Sequence, residues 1–120
     1  MASKRFEELL QLQLEIHKKK NAGYSGVDAE DPWKNFREAK RFGATPFIGC
    51  MIRVSDKYTR IGNLIQNPEA DQVDEKITDT LLDMANYCLI ALCLWEEEQE
   101  KAAEEQARDM IRSINDRDMR

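Results

Sequence analysis

Glu75, Asp79, Asp83 and Asn86 are the residues whose type and spacing raise a chemical question. At about 100° per residue on a helix they share a sector of about 80°, which continues into Ile90 and Cys93. Between Thr80 and Trp95 apolar residues recur at almost every angle, the pattern of a helix with neighbours on all sides. The acids are therefore expected to point into a bundle. An unpaired buried carboxylate costs on the order of several kcal/mol, so such a row calls for cations. Lysines or arginines of a facing helix can supply them, and so can Mg²⁺, which takes one or two carboxylates plus substrate phosphates. A structural ion-pair network and a metal site both remain open at this point.

Two further groups can act with the acids. Arg53, Asp56, Lys57, Arg60 and Asn63 form a mixed set on a second helix, able either to pair with carboxylates or to hold phosphates. Asn21, Tyr24, Trp33, Asn35 and Phe36 place aromatic rings near amides, with Lys18, Lys19 and Lys20 just ahead of them. Aromatic faces stack on nucleobases at about 1 to 3 kcal/mol each. Taken alone, Trp33 and Phe36 are more often core residues than base-stacking ones, and a lysine run is more often a solvated helix end than a phosphate clamp. His17, the only histidine, has no Cys or Ser partner at a catalytic spacing and is expected at a surface or a helix end. There is no Gly-rich phosphate loop.

The elements that must position these residues are helical. The chain has 120 residues, 42% hydrophobic and 34% charged, with five glycines and three prolines, too few turn residues for a many-stranded β fold. That length makes one domain with one modest core. Ser3 can cap a first helix with Phe6, Leu9, Leu10 and Leu14 at helical spacing, ending in the lysine run. Asn21 to Asp31 reads as a long loop and Asp31-Pro32 as the start of a short helix that Gly43 ends. Thr45-Pro46 opens a helix over about 46 to 65, with Phe47, Cys50, Met51, Val54, Tyr58, Ile61 and Ile65 on one face. After the Asn67-Pro68 turn, Asp71 or Asp74 can cap a final long helix from about 74. An all-α bundle of about four helices is expected, with residues 1–95 as core and 96–120 as a charged helical extension of the same domain.

Charge and composition exclude several classes. The net charge is -5, and residues 96–120 carry nine acids against five bases, so neither half resembles a nucleic-acid binder. The longest stretch without a charge, Met84 to Trp95, is shorter than the ~18 to 20 residues of a membrane span. Cys50, Cys88 and Cys93 lack metal-ligand spacing and sit among apolar residues, which fits a reducing, cytoplasmic compartment.

Three segments occur in order: Lys20-Asn21-Ala-Gly-Tyr24 with Asp31-Pro32-Trp33-Lys34-Asn35-Phe36; Arg53-Val-Ser-Asp56-Lys57-Tyr-Thr-Arg60-Ile-Gly-Asn63-Leu64; and Asp79-Thr-Leu-Leu-Asp83-Met-Ala-Asn86-Tyr87. Together they resemble the phage and bacterial nucleotide modification associated domain 1 proteins, a branch similar to the MazG-like all-α nucleoside triphosphate pyrophosphohydrolases. The resemblance spans about residues 15 to 95. It implies a homodimeric or homotetrameric bundle that binds Mg²⁺ or Mn²⁺ and cleaves a (deoxy)nucleoside triphosphate to monophosphate and pyrophosphate. By position, Asp56, Glu75, Asp79 and Asp83 would hold metal, with Asp56, Asp79 and Asp83 catalytic. Asn86 would contact sugar or base, and Lys57 and Arg60 the phosphates. One departure is plain: the MazG-like pattern has Glu-Glu-x-x-Glu in its first metal helix, whereas the 46–65 helix has Asp56 as its only acid. The expected function is therefore nucleotide binding, with Mg²⁺-dependent hydrolysis leading. A non-hydrolysing phage sponge for a signalling nucleotide and a helical oligomeric interaction module are the alternatives.

Overall fold

The structure is a computed structural model that describes residues 3–25, 31–67, 69 and 75–118, and of residues 21–25, 75 and 76 the backbone alone. Its described residues form four α-helices, α1 (Lys4–Ser25), α2 (Lys34–Arg37), α3 (Pro46–Gln66) and α4 (Glu75–Asp118), with a 3-10 segment over Glu38–Phe42. No strand occurs among them. The bundle is all-α, as composition and periodicity require.

Local chemistry fixes the boundaries. The Ser3 hydroxyl accepts from the Phe6 amide at 3.3 Å and so caps α1. Asp31 accepts from the Trp33 amide at 3.0 Å, which turns the chain into α2. Gly43 at φ 80° closes the 3-10 segment, a left-handed position that glycine takes without a Cβ clash. Thr45 then caps α3 through the Ile48 amide at 3.2 Å, with Pro46 in the first turn. Two expectations need correcting here. The lysine run does not end α1, which continues through the Asn21 segment to Ser25. Lysines propagate a helix well, and the one glycine within the segment, Gly23, costs only about 1 kcal/mol relative to alanine. The candidate caps Asp71 and Asp74 lie outside the described residues.

The core is small and centred on the α3–α4 pair. Cys50, Tyr87, Ile90, Ala91 and Leu94 are buried together, with Trp33, Phe36, Phe47 and Val54 packed against them. Cys50 is fully enclosed, its thiol donating to the Tyr87 carbonyl at 3.2 Å. Burial, with Cys88 nearby, pushes that thiol up to about 11, so it behaves as an inert small hydrophobe. Phe47 and Trp95 rings meet at 5.1 Å, and Phe36 stands edge-on to Tyr87 at 6.2 Å. α1 leans on this pair more thinly, leaving Phe6, Leu10 and Leu14 about half exposed.

Helix α4 departs most from expectation. Its described neighbours α1, α2 and α3 leave part of its surface open, and Leu81, Leu89, Leu92 and Trp95 are each about half exposed. Its exposed residues Leu81, Ala85, Cys88, Leu92 and Trp95 recur at alternating spacings of four and three, the register of a coiled-coil seam. An eighteen-residue window within Ile77–Asp118 reaches a mean hydropathy of 1.4, long and apolar enough by composition to cross a membrane. The charge-free run understated this, because such a window tolerates two charges. Beyond Glu98 the helix runs exposed to Asp118, which stretches the molecule to 73 × 34 × 33 Å.

Candidate functional site

A cavity of about 210 Å³ opens where α1, α2, α3 and α4 converge. α2 and the turn before it supply Trp33, Asn35 and Phe36. α3 contributes Gly49 and Arg53, α4 Asn86 and Tyr87, and α1 His17 and Lys20. Gly49 explains how the short helix comes so close. A Cβ there would lie 2.9 Å from the Ala39 Cβ, tighter than real contacts allow, so glycine lets the 3-10 segment seat against α3. The cavity has aromatic walls, the buried Asn86 amide on its floor and cations at its rim.

Beside that rim lies one acid between two lysines. Asp83 pairs through Oδ1 with Lys20 and lies 3.4 Å through Oδ2 from Lys57, all three partly buried. Arg53 and Lys57 are one turn apart on α3, and Asp83 and Asn86 are three residues apart on α4, so helical repetition brings the four together. A second charged cluster holds the other end of α2. Arg37 reaches Asp31 at 2.5 and 3.1 Å and Glu97 at 3.1 Å, so that it ties the turn to α4. The Arg37 hydrogen bond outweighs burial and holds the Asp31 carboxyl below its ordinary value.

Of the residues singled out in the sequence, the structure gathers Lys20, Trp33, Asn35, Phe36, Arg53 and Asn86 around one cavity, with Lys57 and Asp83 adjoining. Asp56, Arg60, Asn63 and Asp79 it leaves exposed and off the cavity wall. The expectation of an inward-facing acid row is thus corrected at Asp79, which is exposed, while Asp83 is partly buried. The reason is the thin covering of α4, since a shared sector yields burial only where a neighbour stands, and no described neighbour covers Asp79. The side chains of Asn21, Tyr24 and Glu75 lie outside the described residues.

The described donors do not fit a resident Mg²⁺ centre. Among them no group of three or more His, Cys, Asp or Glu side chains comes within reach of one ion. The one acid near the cavity already has two ammonium partners. Sequence reasoning missed His17, which stacks near Trp33 at 5.9 Å, along with Gly49 and Gln13. A glycine inside an amphipathic helix was the signal available for Gly49. For His17 the i, i+3 relation to Lys20 was the only hint.

Fold and site together define an all-α bundle with an aromatic, cation-rimmed cavity suited to an anionic planar ligand. Residues 42–94, which cover α3 and the apolar half of α4, match the family model described as nucleotide modification associated domain 1. Comparison with curated proteins and with solved structures gives no significant match.

Proposed function

We propose that this chain is a nucleotide-binding protein, and that it holds the ligand's phosphates with Lys20, Arg53 and Lys57 while the base lies against Trp33 and Phe36. One observation carries the reading. The cavity joins stacking faces to three cations, and the only described acid beside it is Asp83. A bound phosphate competes with Asp83 for the lysines and meets Arg53 unopposed. Arg53 offers the planar fork that suits a phosphate, and the lysines offer mobile point charges. Asn86, 5% exposed, can direct its amide at the sugar or base.

Metal-free recognition separates this reading from a MazG-like, Mg²⁺-dependent pyrophosphohydrolase built on Asp56, Glu75, Asp79 and Asp83. That activity needs metals to activate water and to neutralise the leaving pyrophosphate. Without a described acid cluster, capture of a nucleotide without turnover, as a sequestering protein would do, is the better supported function. Calorimetry with a panel of dNTPs and NTPs, in EDTA and in Mg²⁺, tests it. Binding of equal or greater strength in EDTA is expected, with the nucleotide recovered intact. Binding that appears only with Mg²⁺, or release of pyrophosphate, would overturn it.

The assembly proposed for this function is a homodimer or homotetramer in which a second copy covers the Leu81, Ala85, Cys88, Leu92 and Trp95 seam. Heptad spacing with exposed apolar side chains supports that occupant. Light scattering should give a multiple of 14.0 kDa, and Leu92→Glu should reduce it to the protomer mass. A wild-type protomer mass at high concentration would contradict the assembly.

A further inference from the structure

We propose that the cleft between α1 and α4 is a second subsite of the same ligand site, where Gln13 donates a hydrogen bond to an uncharged heterocycle, so that the preferred ligand carries two bases. The inference rests on the nucleotide reading of the neighbouring cavity.

Gln13 is the observation that requires it. The side chain is 7% exposed, and its Nε2 has no hydrogen-bond partner among the described residues. Buried amide donors are paired in the great majority of proteins, and one left unpaired forfeits its hydration without return. Gln13 lines a cleft of about 180 Å³ whose other walls include Leu10, Leu14, Leu89 and Cys93. This cleft is continuous with the first cavity: His17, Trp33, Asn86 and Ile90 line both. The tilted His17–Trp33 pair forms the partition between them.

The chemistry of the two halves differs. Lys20 and Arg53 belong to the first cavity, and among the described residues no lysine or arginine lines the cleft. A phosphate there would be desolvated without a counter-charge, which excludes the anionic part of the ligand. An apolar slot lined by the Gln13 and Asn86 amides suits a flat ring that presents a carbonyl oxygen or ring nitrogen at its edge. With the phosphates at Lys20 and Arg53 and one base on Trp33, the cleft beyond the His17–Trp33 pair is left for a second base, which makes the ligand a dinucleotide.

The test compares linear 3′–5′ dinucleotides with the matching mononucleotides by calorimetry, on wild-type protein and on Gln13→Leu. Wild type should bind the best dinucleotide at least tenfold more tightly than its mononucleotides. In Gln13→Leu that advantage should fall below threefold with mononucleotide affinity unchanged. The free variant should melt no lower than wild type, since leucine removes the unpaired amide while filling similar space. A merely structural glutamine would instead lower the melting temperature and leave the dinucleotide advantage intact. Equal affinity of wild type for both probes would overturn the second subsite while leaving nucleotide binding in place. So would a Gln13→Leu variant that changes the assembled mass with the dinucleotide advantage retained. Absence of binding by either probe would remove the nucleotide reading itself, and this inference with it.

Discussion

Arg37 and Asp83 each sit at the centre of a three-residue ion cluster, and the two clusters are opposite in stoichiometry. Arg37 is one cation between two acids, Asp31 and Glu97. Asp83 is one acid between two cations, Lys20 and Lys57. The first cluster is charge-saturated at its centre: the guanidinium donates to both acids through Nε, Nη1 and Nη2, and Arg37 is not among the residues that line the cavity. The second has an excess of positive charge, no arginine fork locking it, and a cavity at its side. Equal counts of ion pairs therefore serve different ends. The Arg37 cluster fastens the turn and α2 onto α4, and the Asp83 cluster holds two lysine ammonium groups beside the cavity, where the proposed ligand would meet them.

The sharpest way to break this comparison is to remove the cations of the second cluster. Lys20→Met combined with Arg53→Met should weaken nucleotide binding by about 100-fold or more, since each charge-assisted hydrogen bond contributes about 1.5 to 3 kcal/mol. The melting temperature of the free protein should barely change, because these side chains are partly exposed and screened. Loss of the fold instead of the affinity, by circular dichroism, would make the second cluster as structural as the first.

A smaller effect sharpens the sign of the difference. Asp83→Asn removes the acid that competes with phosphate for Lys20 and Lys57, and nucleotide affinity in EDTA should rise a few-fold. A metal centre that depends on Asp83 would give the reverse. Calorimetry on the variant separates the two, and a drop of tenfold or more would count against phosphate recognition by the lysines.

Much of this architecture was legible in the sequence because its signals are local. Ser3, Gly43 and Thr45-Pro46 each act within a turn of where they stand, and the boundaries they imply are those observed. Trp33, Asn35, Phe36, Arg53 and Asn86, singled out in the sequence, do meet around one cavity, but the pattern could not tell wall from core, and Trp33 and Phe36 pack on the core as well. Burial of the acid row was not readable. Helical periodicity says which residues share a sector, but whether a sector is buried depends on neighbours. Asp79 and Asp83 share one and differ in exposure. The apolar breadth of α4 posed the same ambiguity, because the pattern cannot tell an apolar face that packs in the core from one that stays exposed in the chain. Gln13 and His17 were invisible for a related reason: their roles arise from α1 meeting α4 and Trp33, a contact that no local pattern encodes.

The smallest expected effect belongs to the Arg37 cluster, and it is one of stability alone. Asp31 has its carboxyl held below the ordinary 3.8, chiefly by the Arg37 hydrogen bond, against the opposing cost of burial. A carboxyl lowered in the folded state contributes stability that is fully present above its unfolded value and is lost as pH falls through the folded one. Arg37→Met should therefore cost about 0.5 to 1 kcal/mol, constant from pH 7 down to about pH 5, after discounting for the partial exposure of all three side chains. Below about pH 4 the melting curves of variant and wild type should converge, as Asp31 becomes protonated in both. Nucleotide affinity at pH 7 should stay within about twofold, because the guanidinium points away from the cavity towards Asp31 and Glu97. A stability gap that widened in acid would reverse the sign assigned to Asp31. An affinity loss comparable to that of the Lys20 and Arg53 variant would show the two clusters to be one energetic unit, the far end of α2 positioning Trp33 and Phe36 as much as it fastens them.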